Sequence, residues 1–162
     1  MQAEVRLSVD VDADLETVWQ RAVDWTGQRE WIPLTRVDRI EGEPLAVGTR
    51  VVARTGIGPV GFDDTMTVIA VTAPATGSRS IEVLHTGRVV RGVGEMRVEA
   101  HDGGTRFWWW ERVAVPGGPL APAVWLVAEP AVRLLFGYAL RRFARWVETD
   151  TDTHTGSRTQ PR

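Results

Sequence analysis

Residues 119–148 read PLAPAVWLVAEPAVRLLFGYALRRFARWVE, and this stretch dictates what the rest of the chain has to be. From Ala131 to Val147 the side chains Val132, Leu135, Phe136, Ala139, Phe143 and Trp146 recur at helical spacing on one side, with Arg133, Arg141, Arg145 and Glu148 on the other. Leu134 and Tyr138 spill off the apolar stripe and predict a second contact, with a loop or a partner. Pro130 cannot donate a backbone hydrogen bond and predicts a kink or a restart of the helix, whereas Pro119 and Pro122 suit a first turn. A helix from Ala131 to Glu148 would span roughly 27 Å at ~1.5 Å per residue. A helix that long, with a wide apolar face, needs a large surface to lie against.

The preceding residues supply that surface. Val5, Leu7, Val9 and Val11 alternate with polar residues and predict a half-buried strand. Asp12 is a candidate N-cap for an amphipathic helix carrying Leu15, Val18, Trp19, Ala22 and Val23. Gly27 interrupts it, and a short helix, Gln28 to Ile32, stops at Pro33. Six strands then follow, over Thr35–Glu41, Gly48–Thr55, Phe62–Thr72, Ile81–Thr86, Val89–Ala100 and Thr105–Val115. Turn residues separate them, among them Gly56-Ile57-Gly58-Pro59 and Asp102-Gly103-Gly104. Short loops between successive strands predict antiparallel pairing. The expected α+β fold is a strongly curved antiparallel sheet of about seven strands wrapped around the long C-terminal helix, with two short helices after the first strand. The expected division is one domain over residues 1–148 and a disordered tail over 149–162, where TDTDTHTGSRTQPR lacks apolar anchors.

Composition narrows the chemistry. The 162 residues suffice for one substantial core. A formal net charge of −2 gives no electrostatic case for nucleic acid. There is no cysteine, which excludes disulfides and thiolate chemistry. All 19 basic residues are Arg, which excludes a lysine Schiff base. Glu129, Arg133 and the prolines at 122 and 130 weigh against a membrane span through the most apolar window, Leu120 to Leu140. The first residues already alternate like a strand, so no signal peptide is read there and a cytoplasmic location is expected.

Several stretches resemble the START-like (SRPBCC) superfamily with the helix-grip fold, in its polyketide cyclase/dehydrase branch. They are VDADLETVWQRAVDWTGQREWIPLT at the first helices, GFDDTM in the fourth strand, HTGRVVRGVGEM across the fifth and sixth, and RFWWWERVAVPGG before the long helix. The resemblance covers Gln2 to about Glu148. It implies an apolar cavity between sheet and helix, and it brings no single catalytic signature, since that superfamily spans cyclases, lipid-transfer domains and quinone- and plant-ligand-binding proteins.

Strand parity locates candidate cavity residues independently of that resemblance. In the fourth strand Met66, Val68 and Ala70 define the inner face, which Phe62 and Asp64 share. In the fifth, Ile81 and Val83 place His85 inside; in the sixth, Val90, Met96, Val98 and Ala100 share a face with Gly92 and Gly94, where absent side chains leave room for a ligand or a bend. In the seventh, Phe107, Trp109, Val113 and Val115 put Glu111 inside and leave Trp108 and Trp110 outside beside Arg106 and Arg112. Asp64, His85 and Glu111 are thus the candidate acid–base residues, alternatively ligand-orienting groups or a polar network that satisfies itself. No tight ligand spacing supports a metal site, and no cofactor is expected. The candidate ligand-binding residues are Trp25, Trp31, Phe62, Met66, Val83, Arg88, Gly92, Met96, Trp109 and Phe136. Arg88, after Gly87, either meets an anionic group or is an exposed turn arginine. The expected function is binding of a hydrophobic polyketide-, lipid- or quinone-like molecule. The alternatives are a polyketide cyclase/dehydratase and a regulatory or toxin–antitoxin-type interaction protein. Oligomeric state is not legible.

Overall fold

In the computed structural model, which describes the backbone of residues 1–156, the chain runs β1 (Gln2–Val11), α1 (Leu15–Ala22), α2 (Gln28–Trp31), β2 (Thr35–Glu41), β3 (Arg50–Ile57), β4 (Val60–Thr72), β5 (Arg79–Thr86), β6 (Arg91–His101), β7 (Gly104–Ala114) and α3 (Ala121–Gly156). A 3₁₀ turn over Gly118–Leu120 leads into α3. All strands pair antiparallel in one sheet of order β1-β7-β6-β5-β4-β3-β2. The first strand pairs with the last, and α3 returns across the concave face. This is the expected helix-grip architecture.

Local chemistry accounts for the elements. Asp14, rather than Asp12, caps α1: its carboxylate accepts from the Thr17 backbone N–H at 2.9 Å and from the Thr17 hydroxyl at 2.7 Å. Asp12 instead gives its own backbone N–H to Glu148 at 3.0 Å, which ties the start of α1 to α3. The buried face of α1 (Val18, Trp19, Ala22) packs into the core with Val11, Phe107 and the C-terminal half of α3. Arg21 pairs with Asp150 at 2.5 Å and lies over the Trp146 ring at 4.9 Å, adding a second strap between α1 and α3.

Four expectations are corrected. The helix does not restart at Pro130; α3 passes through it. The carbonyl that loses its donor there belongs to Leu126, a residue that is exposed. The buried stripe of α3 is Ala139, Leu140, Phe143, Ala144 and Val147, so it is rotated from the predicted one; Trp146 is only partly buried and Leu135 is half exposed. Residues 149–156, expected within a disordered tail, continue the helix, with Thr149 donating to the Arg145 carbonyl at 2.7 Å; the rest of that tail, 157–162, lies outside the described residues. Finally, a bulge between Val68 and Ala70 shifts the β4–β5 register, so Val71 rather than Ala70 packs against the core and pairs with Ile81.

The N-terminal half of α3 is different in character. Leu126 and Val127 are 75% and 81% exposed, and Leu134 and Tyr138 are exposed as well. By length and composition alone, Gly118–Asp150 is long and apolar enough to cross a membrane, its 18-residue apolar window having a mean hydropathy of 1.4. Its C-terminal half is the floor of the domain core.

Candidate functional site

Between the concave face of the sheet and the N-terminal half of α3 lies a cavity of about 280 Å³. Its wall is mostly apolar. Trp25, Trp31, Phe62, Met66, Val83, Met96, Trp109 and Phe136, all among the candidates named from the sequence, line it together with Asp64, His85 and Glu111. Arg88 and Gly92 do not. Arg88 is exposed in the β5–β6 turn. Gly92 has φ +153°, and a Cβ there would sit 2.0 Å from the Arg112 carbonyl oxygen, so its hydrogen atom serves close strand approach and not a ligand. The sequence reading did not name Gln28, Ile32, Val132 or Trp125 as ligand-binding residues; these add lining from the α2 region and α3. Gln28 gave no signal because the four residues of α2 are too few for a readable periodicity.

Aromatic rings organise the wall. Trp109 stacks on Phe136 at 4.1 Å and 23°, which presses α3 onto β7. Trp31 meets Trp109, Phe107 and Phe143 edge-on at 5.1, 5.9 and 5.3 Å. Trp25 is anchored by its indole N–H, which donates to the Pro44 carbonyl at 2.9 Å.

The polar centre comes from three strands. His85 Nδ1 donates to both carboxylate oxygens of Asp64, at 2.9 and 3.0 Å. His85 Nε2 stands 3.3 Å from Glu111 Oε2, an ion-pair distance without hydrogen-bond alignment. Trp109 Nε1 donates to the other Glu111 oxygen at 2.9 Å. His85 and Glu111 lie on strands separated by β6, and they meet because Gly94 stands between them. A Cβ at Gly94 would fall 2.7 and 2.8 Å from the Glu111 oxygens and 2.9 Å from His85 Nε2. The room that glycine opens is therefore filled by the protein's own imidazole and carboxylate.

Burial by itself would lower the His85 pKa, because the charged ring loses water; the hydrogen bond to Asp64 and then the interaction with Glu111 outweigh it and raise the value to about 10. His85 is thus an imidazolium at neutral pH. With a carboxylate on each ring nitrogen it has no lone pair to offer a metal. Among the described residues, no group of three or more His, Asp or Glu is arranged to hold one. Three buried polar atoms in this region have no hydrogen-bond partner: His85 Nε2, Glu111 Oε2 and Trp31 Nε1. Leaving such atoms unpaired is costly in a folded core, and all three belong to residues that line the cavity.

Comparison with known proteins agrees with this geometry. The chain is similar to the Zhui aromatase/cyclase from Streptomyces sp. R1128, with a TM-score of 0.68, 19% identity and coverage of 91% of this chain and 94% of that one. It is similar to Ara h 8.0201, with a TM-score of 0.60, 14% identity and coverage of 91% and 98%. A point mutant of the Thalictrum flavum norcoclaurine synthase, solved with a transition-state analogue, has a TM-score of 0.58 at 12% identity, covering 93% and 97%. At these identities the likeness is one of fold. No curated protein matches by sequence. A family model described as "Polyketide cyclase / dehydrase and lipid transport" matches residues 2–148. The chain therefore belongs to that family, within the START-like superfamily whose helix-grip fold its sheet and C-terminal helix reproduce.

Proposed function

We propose that this protein binds a hydrophobic, polyketide-, lipid- or quinone-like small molecule in the cavity between the sheet and α3. The observation that carries the reading is an aromatic-walled, mostly apolar cavity of about 280 Å³ whose lining includes Asp64, His85 and Glu111. Trp25, Trp31 and Trp109 sit in its wall, so a bound ring system should change the intrinsic tryptophan emission. The test is native mass spectrometry of freshly purified protein, followed by titration of polyketides, quinones and lipids against that emission. A co-purifying or saturably titrating apolar molecule is the expected result. A broad panel with unchanged emission and no bound mass would overturn the reading. The net charge of −2 supports the absence of a nucleic-acid partner. The burial of the C-terminal half of α3 in the domain core argues against membrane insertion of that half.

A second reading, cyclisation with loss of water, rests on the Asp64–His85–Glu111 arrangement. In it Glu111 Oε2 would take a proton from a methylene flanked by carbonyls. The resulting enolate would attack a ketone carbon, and the alkoxide formed would take a proton from His85, which Asp64 holds in place; the neutral His85 would then take the second proton of the attacking carbon while the hydroxyl leaves as water with the proton held by Glu111. Binding is preferred because a proton held at a pKa of about 10 is far from the value that suits acid–base turnover near neutral pH. His85→Gln separates the two readings: turnover should vanish while ligand still binds, and intact turnover would remove His85 from the chemistry.

A further inference from the structure

The unpaired atoms of Trp31, His85 and Glu111 have essentially no accessible surface, so they place no demand that a ligand can meet. Gln28 is different. Of the buried polar residues in the cavity wall, Gln28, Thr35, His85 and Glu111, it is the one whose side chain makes no hydrogen bond with the described residues. The residue is only 5% exposed, yet neither polar atom of its amide is sealed off as those three are. The surface that the amide keeps therefore opens onto the cavity that Gln28 lines. Its backbone is fixed: its N–H donates to the Trp25 carbonyl at 3.4 Å, and its own carbonyl accepts from the Ile32 N–H at 2.8 Å. Trp31, three residues on, lies on the same side of α2 and is wedged among Trp109, Phe107 and Phe143. A donor and an acceptor thus stand free on a held backbone whose flanking tryptophans, Trp25 and Trp31, form part of the same wall.

We propose that the Gln28 amide is a polar contact of the ligand site and that the ligand carries an oxygen there: a ketone or quinone carbonyl that accepts from the amide nitrogen, or a hydroxyl that donates to the amide oxygen. This rests on the cavity-binding reading and narrows it from any apolar molecule to an oxygenated one. The reason is desolvation. A hydrocarbon that fills the cavity strips water from the amide and gives nothing back, and burying an amide without a hydrogen bond is costly. An oxygen at the same point restores the bond, so Gln28 separates the two ligands by hydrogen bonding and without using charge. The apolar wall takes the rest of the molecule. At about 280 Å³ the cavity is about twice the ~150 Å³ of an apolar cavity that takes one benzene, so it suits two fused rings.

The test is equilibrium dialysis of the full chain against 2-acetylnaphthalene and 2-isopropenylnaphthalene. The two share one shape and differ in a carbonyl oxygen replaced by a methylene. Gln28→Met keeps the length of the side chain and removes its polar amide. The variant should weaken the ketone and strengthen the hydrocarbon, so that the ratio of their dissociation constants shifts by about tenfold or more from the parent value. In the parent protein the side-chain amide proton resonances of Gln28 should move downfield with the ketone and not with the hydrocarbon; this reading decides alone should the variant misfold by circular dichroism. An unchanged ratio with the ketone still saturably bound, or amide resonances that answer both compounds alike, would overturn the role of Gln28 while leaving the cavity reading intact. Binding of neither compound would overturn both.

Discussion

The two faces of β7 carry the same pair of side chains into opposite environments. On the convex face Trp108 donates its indole N–H to Glu99 at 2.7 Å and Trp110 donates to Glu4 at 2.8 Å. Arg6 lies 4.6 Å over the Trp108 ring and Arg112 lies 5.0 Å over Trp110. On the concave face Trp109 donates to Glu111 at 2.9 Å, with stacking supplied by Phe136 instead of an arginine. Outside, the second oxygen of Glu4 is met by Arg112 at 3.3 Å; the Trp110 hydrogen bond, followed by Arg112, lowers the Glu4 pKa. Inside, the second oxygen of Glu111 meets only the misaligned imidazolium of His85. A tryptophan–glutamate pair is closed by arginine on one side of the strand and by a buried imidazolium without hydrogen-bond alignment on the other.

Substitutions along β7 should separate the faces by size of effect. Phe107→Ala removes a fully buried ring packed on Phe143 and Trp31 and should cost about 3–5 kcal/mol in chemical denaturation. A loss no larger than that seen on the convex face would deny the contrast. Glu111→Ala should cost about 3 kcal/mol, because it leaves a buried imidazolium with one partner. His85 adds a pH signature. Its folded pKa lies above the unfolded value, so its stabilisation is complete below about pH 6.5 and is lost as pH rises toward 10, at no more than about 1.4 kcal/mol per pH unit. Denaturation midpoints recorded from pH 6.5 to 10 should show that decline, and His85→Gln should flatten it.

Gly94→Ala should cost about 1–3 kcal/mol. More tellingly, it should lower the His85 pKa read by nuclear magnetic resonance, because the new methyl pushes the Glu111 carboxylate away. An unmoved His85 titration would mean that the carboxylate has another seat. Smallest of all, Trp108→Ala removes an exposed-face cation–π stack and a hydrogen bond and should cost about 1 kcal/mol or less.

The helix α3 sharpens the same lesson over a longer distance. Its C-terminal half buries Phe143 and Val147 completely, while Leu126 and Val127 in its N-terminal half stand in the open. Both halves are apolar in sequence, and the sequence reading traces the helical stripe only from Ala131 onward. Pro130 read as a break because local propensity forbids a hydrogen bond there; the fold tolerates it because the orphaned carbonyl lies at the surface. The bulge after Val68 defeated strand parity at Ala70 for a related reason, since an inserted residue is a property of the pairing between strands and leaves no mark in one strand's alternation.

Taken alone, the sequence determined the element order, the antiparallel sheet, the long closing helix and the inward face of β4, β5 and β7 near the site. Those follow from periods of two and 3.6 residues, which are set by backbone geometry over a few neighbours. It also placed Asp64, His85 and Glu111 on the concave side without bringing any two of them together. Only the tertiary structure decided that they meet, because their approach depends on strand register, on the order β7-β6-β5-β4 and on the gap that Gly94 leaves in the intervening strand. It decided likewise that Arg88 points away, that Gly92 serves the backbone, and that Trp31 and Glu111 end with polar atoms unmet. Whether a buried atom finds a partner depends on residues distant in the chain, and no local pattern of side chains encodes it.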